Sequence, residues 1–399
     1  MVTVIPSGSI TSASGFLAGA VRAGIKTKDE LDLGIIHSEV SCTSAGIFTT
    51  DAVKSAPVIL SQRRIVKERA QTIVANSGCA NACVGRQGLA DALEMANLAA
   101  ARLGTSPEEV LVASTGIIGV PLPMDKIRAG IPRMELTRSG GHDFCRAIMT
   151  TDTRPKELAT QIDWQGTKLT IGAAAKGSGM IHPNMGTLLC FIATDAVVNA
   201  DFLQAALRSA VDVSFNMVTI DGDTSPSDCA LLLANGLAGN EPINSDNGHL
   251  FQQALTEVCT HLAKAIARDG EGATKLIEVT VEEAEDQVWA RQAARTIAGS
   301  PLVKAAIHGN DPNWGRIVAA LGRSGARVRE DTLDVYLNDV CVLRQGTPAT
   351  FDKEQMLSTL SKSDSVSIRL HLYLGGGRAT AWGCDLSEEY VTINSAYTT

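Results

Sequence analysis

Reactive side chains concentrate in Lys176-Gly177-Ser178-Gly179-Met180-Ile181-His182-Pro183-Asn184-Met185-Gly186-Thr187, a glycine-rich loop that runs into the apolar segment Leu188-Leu189-Cys190-Phe191-Ile192-Ala193. A threonine at such a junction has two readings. In one, Gly186–Thr187 is a self-cleavage point, and scission gives Thr187 a free α-amine beside its own hydroxyl, a nucleophile and a base in one residue. An unperturbed α-amine titrates at about 7.7–8.0, so it accepts the hydroxyl proton near neutral pH. Gly186 has no Cβ to keep the hydroxyl from the preceding carbonyl. An acyl-transfer enzyme follows from this chemistry. In the other reading, Gly-Thr simply opens a strand after a turn, and spacing alone leaves both open.

Positioning such a residue requires a rigid frame, and the apolar pattern supplies one. Short apolar or alternating runs predict strands over 33–40, 46–49, 72–75, 109–114, 168–174 and 187–194. Helical spacing fits 88–103, 201–215 and 251–268, the last with Leu255, Val258, Leu262 and Ile266 on one face. Asn199 or Asp201 can cap the second of these. The charged turn Asp269-Gly270-Glu271-Gly272-Ala273-Thr274-Lys275 then leads into a strand at 276–281, a helix around 289–297, and strands at 333–344 and 366–374. Periodicity therefore reads as α+β or α/β. With 399 residues the chain exceeds one ordinary core, and two domains are expected, 1–281 and 282–399.

Composition narrows the partners. Apolar residues make up 45% and charged residues 20%, while aromatics reach only 4%, so alanine and small aliphatic side chains must do the packing. A net charge of −8 with no dense Lys/Arg run argues against nucleic acid and anionic membrane and for small-molecule chemistry. Met1 to Ile25 carries no basic leader, and the stretch Phe16 to Val21 is too short for a signal core or a span, so a cytoplasmic protein is expected. The nine cysteines form no Cys-x-x-Cys and read as reduced thiols, and the seven histidines show no zinc spacing, so neither metal nor cofactor is expected. Asp221-Gly222-Asp223 lacks the rest of a calcium loop and reads as a structural turn near the site. Gly172 to Gly177 lacks the Gly-Lys-Ser/Thr order of a phosphate loop.

The segment from Lys176 to Leu189 resembles the processing segment of the ornithine acetyltransferases, also called glutamate N-acetyltransferases. The resemblance extends over nearly the whole chain. It includes Gly24-Ile25-Lys26, Asn76-Ser77-Gly78-Cys79-Ala80-Asn81-Ala82, Ser114-Thr115-Gly116-Ile117-Ile118-Gly119 and Ala147-Ile148-Met149-Thr150-Thr151-Asp152-Thr153. It continues through Asp221-Gly222-Asp223-Thr224-Ser225, the 269–275 turn, His308-Gly309-Asn310-Asp311-Pro312-Asn313-Trp314-Gly315-Arg316 and Asn394-Ser395-Ala396-Tyr397-Thr398-Thr399.

The resemblance implies an N-terminal-nucleophile-like fold, two β-sheets between helix layers, followed by a smaller α/β domain whose tail returns to the active site. It also implies autoproteolysis between Gly186 and Thr187 and ping-pong transfer of acetyl from N2-acetyl-L-ornithine, through acetyl-Thr187, to L-glutamate. Thr115 and Gly116 would form the oxyanion hole, and Thr150, Lys176, Thr187, Glu271, Asn394 and Thr399 would contact substrate. The two fragments would stay together, and pairs of them would dimerise into a heterotetramer. Whether acetyl-CoA is a second donor the sequence leaves open. Gly186 stands where the family usually has alanine, which bears on processing rate, and Cys79 stands where asparagine is frequent. Two rivals make different predictions: a self-processing amidase or aminopeptidase that uses water as acceptor, and an uncleaved module that only binds amino acids.

Overall fold

Alternation along the central strands divides their side chains between separate cores, and this decides the architecture. The computed structural model describes residues 2–182 and 188–396. Its first nine strands are β1 (Val2–Val4), β2 (Phe16–Val21), β3 (Leu33–Phe48), β4 (Arg69–Asn76), β5 (Val110–Ser114), β6 (Lys156–Trp164), β7 (Thr167–Lys176), β8 (Leu189–Thr194) and β9 (Cys229–Ala234). They form one hydrogen-bonded sheet in the order 1-6-7-8-9-3-4-5, with β2 also on β3.

The long strand β3 belongs to two leaves of that sheet. Its beginning pairs with β2 and β4, from Leu33↔Asn76 to His37↔Thr72, and its end pairs with β9, from Thr43↔Ala234 to Phe48↔Cys229. The register with β4 slips between His37 and Cys42, and such a slip lets a strand bend. The leaves consequently face one another. Leu111 and Ala113 of one leaf share a buried cluster with Leu189, Phe191, Ala193, Leu231 and Leu233 of the other.

The odd and even partners of these residues point outward and are covered by helices. Val110 and Val112 pack under α1 (Ala56–Ile65), α2 (Gly85–Leu103) and α3 (Met124–Gly130), while α4 (Gly141–Ala147) inserts Phe144 edge-on against Phe191 at the inner core. Cys190, Ile192, Ala230 and Leu232 pack under α5 (Ala200–Val213) and α6 (His249–Arg268). The expected pair of β-layers between helices is therefore present, built as two leaves of one continuous sheet.

A second sheet holds β10 (Leu276–Ala284), β11 (Asp334–Leu337), β12 (Val340–Arg344), β13 (Thr347–Pro348), β14 (Ser365–His371) and β15 (Gly377–Cys384), in the order 13-12-11-14-10-15. It carries α7 (Gln287–Ala298), α8 (Pro301–His308), α9 (Trp314–Gly322) and α10 (Lys353–Lys362), and the chain then forms α11 (Glu388–Ala396). β10 crosses residues 281 and 282 without a break, so this sheet begins at Leu276. One apolar cluster runs from α5 and α6 into β10, β14 and β15, so the second sheet is continuous with the first core.

The expected helices over 88–103, 201–215 and 251–268 appear within a few residues of their bounds. Asn199, not Asp201, caps α5, accepting from the Phe202 amide. Two expectations are corrected. The segments 33–40 and 46–49 are one strand, β3, and 333–344 is a hairpin, β11 and β12, turned at Asn338 with φ of 53°. Among the described residues no helix is long and apolar enough to cross a membrane.

Candidate active site

The site grows from the ends of the parallel neighbours β4 and β5. Asn76, the last residue of β4, accepts from the Ser114 hydroxyl at 2.6 Å and donates to the Cys79 carbonyl at 2.9 Å, which ties the two following loops together. The Thr115 amide donates to the Asn76 carbonyl at 3.0 Å. Gly116 has φ of 126°, and a Cβ there would lie 2.4 Å from the Gly78 carbonyl carbon, so the interlocked loops admit only glycine. Cys79 belongs to this packing, its thiol donating to the Val120 carbonyl.

Lys176 ends β7, almost fully buried, and its ammonium donates to the Thr115 hydroxyl oxygen at 3.2 Å. Burial lowers its pKa, and the negative charge of Asp152 foremost opposes that effect. Asp152 lies beneath. It accepts from Lys156 Nζ at 2.6 Å, from the Gly177 amide at 2.8 Å and from the Thr150 amide at 3.0 Å. Burial alone would raise the Asp152 pKa, but Lys156 and Lys176 outweigh it and bring it down to about 2.

Lys156 is the centre of a buried charge triad. Its ammonium also reaches Asp269 Oδ2 at 2.6 Å, and Asp269 accepts from the Thr153 amide at 3.0 Å. The Ser178 hydroxyl donates to the Asp269 carbonyl and the Glu271 amide donates to the Ser178 carbonyl. Three loops, those of Thr150, of Lys176 and of Glu271, are thus fastened to one another from below. Such a network costs desolvation and returns geometric definition.

Glu271 is fixed from two further directions. Asn394 of α11 donates to its carboxylate at 2.8 Å, and Gly179 leaves it space, since a Cβ at 179 would meet that carboxylate within 2.5 Å. The C-terminal helix therefore reaches the site. Asp221 accepts from the Met180 and Ile181 amides, which is the structural turn expected for Asp221-Gly222-Asp223.

A cavity of about 90 Å³ opens between these parts, lined by Thr115, Gly116, Thr150, Lys176, Glu271 and Asn394. Six of the residues singled out in the sequence therefore converge. Gly186, Thr187 and Thr399 lie outside the described residues. Leu188 and Leu189, where the description resumes, line the same cavity.

Sequence reasoning missed Asp228, Lys156 and Asp269 as members of the site. Asp228 lines the cavity at the start of β9, its Oδ2 has no hydrogen-bond partner, and burial pushes its pKa well above the carboxylate range. Lys156 and Asp269 gave no local signal, because their importance comes from meeting each other across 113 positions. Among the described residues no group of three His, Cys, Asp or Glu side chains converges as a metal site.

The arrangement offers a hydroxyl and a backbone N–H for a developing oxyanion, a buried cation, and a carboxylate held by an amide. Comparison with known proteins gives a consistent result. The ArgJ family model matches residues 17–399. The arginine biosynthesis bifunctional protein ArgJ of Dehalococcoides mccartyi is 53% identical over 402 aligned residues, covering 100% of this chain and 99% of the relative. Its counterpart in Symbiobacterium thermophilum is 51% identical, covering 98% of this chain and 99% of the relative. A crystal structure of the arginine biosynthesis bifunctional protein ArgJ from Bacillus halodurans aligns with a TM-score of 0.51 at 44% identity, over 52% of this chain and 98% of the other.

Proposed function

The chain belongs to the ArgJ family, and from that membership we propose that it is a glutamate N-acetyltransferase of arginine biosynthesis working in the cytoplasm. Its donor is N2-acetyl-L-ornithine and its acceptor L-glutamate. The observation that carries this reading is the convergence of Thr115, Gly116, Lys176 and Glu271 on the cavity that Leu188 and Leu189 line.

The reaction begins with a maturation step, in which water cleaves Gly186–Thr187, leaving a carboxylate on Gly186 and a free amine on Thr187. The Thr187 hydroxyl then attacks the acetyl carbonyl, and the amine takes its proton. Charge develops on the carbonyl oxygen, which the Thr115 hydroxyl and the Gly116 N–H stabilise. The C–N bond breaks, the departing amine recovers the proton, and ornithine leaves an acetyl ester on Thr187. Glutamate's amine attacks that ester in the reverse sequence. Lys176 pairs with substrate carboxylate and Glu271 with substrate ammonium, while Thr150, Asn394 and Thr399 orient the chain by hydrogen bonds. Acetyl-CoA, as a second donor, would enter through the same ester. The mature particle is a dimer of two-chain units.

The test combines mass and acceptor dependence. Purified protein should yield fragments 1–186 and 187–399, and acetylornithine should be consumed only when glutamate is present. Equal consumption without glutamate, with release of free acetate, would establish the hydrolase instead. An uncleaved, inactive chain would establish the binding module.

A further inference from the structure

Behind the segment 180–182, away from the catalytic cavity, lies a second and larger cleft of about 640 Å³. Its walls are α7, the end of α9 and the turn at 219–222, and its side chains are cationic: Arg291, Arg295 and Arg323, with His182 and Gln292 between them. The protein as a whole carries a net charge of −8, so this concentration of positive charge stands against the overall balance.

The cations are poorly neutralised. Arg291 and Arg295 stand one helical turn apart on α7, and among the described residues the carboxylate within ion-pair distance of either is Asp212, 3.9 Å from Arg291. Arg295 faces the neutral ring of His182, with Nη2 3.1 Å from Nε2, and its buried Nε has no hydrogen-bond partner. Among the described residues no carboxylate is within ion-pair distance of Arg295 or Arg323. The electrostatics agree. Burial, and then Arg295, hold the His182 pKa down at about 4, and burial, and then Arg291, lower that of Arg295. The Arg291 and Arg295 guanidiniums therefore repel one another along this wall of the cleft.

We propose that this cleft is a binding site for a phosphate-bearing small molecule, with its charge held by Arg291, Arg295 and Arg323. Guanidinium forks match phosphate oxygens two at a time, which favours phosphate over a single point contact. The volume lies in the range of small-molecule pockets of about 300–1,000 Å³, which accommodates a diphosphate together with an organic carrier. His182 connects the cleft to the rest of the protein: its Nδ1 donates to the Thr219 hydroxyl at 2.9 Å, and its carbonyl accepts from Thr224. The assignment does not depend on the acetyl-transfer reading.

The test is calorimetric titration of the full protein with inorganic pyrophosphate, with ADP and with succinate. Pyrophosphate should bind saturably and more weakly as salt rises. The double variant Arg295→Gln/Arg323→Gln should weaken binding at least about tenfold. Arg323→Gln alone, at an exposed position with no side-chain hydrogen bond or ion pair among the described residues, should weaken it at least about threefold; it guards against misfolding of the double variant. ADP binding as tightly as pyrophosphate would identify a free diphosphate as sufficient, and tighter ADP binding would identify an organic phosphate as the ligand. Absence of saturable binding by the wild type, unchanged affinity in both variants, or succinate binding as well as pyrophosphate would overturn the proposal.

Discussion

The Lys176 ammonium donates to the Thr115 hydroxyl oxygen at 3.2 Å, so the threonine uses this contact as an acceptor and keeps its own hydrogen to donate. Thr115 lines the cavity, where that hydrogen can serve a developing oxyanion. Thr115→Ala should reduce kcat for exchange between acetylornithine and glutamate by about 10²–10³-fold, with KM changing far less. Thr115→Ser should recover most of the rate. A reduction of less than about twofold in the alanine variant would remove Thr115 from oxyanion stabilisation.

Gly116 is constrained by both space and torsion. Gly116→Ala puts a methyl group 2.4 Å from the Gly78 carbonyl carbon in a backbone conformation that alanine resists. We expect a loss of about 2 kcal/mol or more in denaturant unfolding, together with loss of transfer. An alanine variant of wild-type stability would show that the Gly78 and Gly116 loops move apart freely.

Asp152 predicts a pH dependence. Its native pKa of about 2 is below the ordinary 3.8, so its contribution is complete above 3.8 and disappears as pH falls from there towards 2. Asp152→Asn leaves the buried Lys156 with one carboxylate instead of two and should cost about 3–5 kcal/mol at pH 7. Urea midpoints of the two proteins should converge as the pH approaches 2. A difference that stays constant across this window would mean that charge is not what Asp152 contributes.

Gly179 separates binding from folding. Gly179→Ala meets first the flexible end of Glu271, which can swing aside at the cost of its bond to Asn394. KM should rise about tenfold, equivalent to about 1.4 kcal/mol, while the thermal midpoint moves by only about 2 °C or less. A large fall in midpoint with unchanged KM would place Glu271 in the scaffold and not in substrate binding.

The sequence carried most of the local structure and part of the site. Helices such as 251–268 were legible because Leu255, Val258, Leu262 and Ile266 repeat at helical spacing, and Ile192 and Phe191 marked β8 by apolar content. Strand β9, Cys-Ala-Leu-Leu-Leu-Ala, was missed because an apolar run buried on both faces has no alternation to read. Thr115, Gly116, Lys176 and Glu271, which line one cavity, stand out in the sequence only through the family resemblance. The Asp152–Lys156–Asp269 triad was not, since ion pairing between distant loops leaves no periodic trace. The bend of β3, which turns one sheet into two facing leaves, depends on a register slip between His37 and Cys42 that composition does not encode.

β8 lies between β7, which precedes residue 187 in the chain, and β9, which follows it. A cut between 186 and 187 would leave β7 in one piece and β8 and β9 in the other, hydrogen-bonded through the interior of one sheet, and neither piece could depart without tearing the sheet at its middle. For a matured enzyme, melting would be a one-way loss: regaining the native state would require two separate polypeptides to meet in solution, so recovery after heating should become second-order in protein, whereas an uncut variant should refold at a rate independent of dilution.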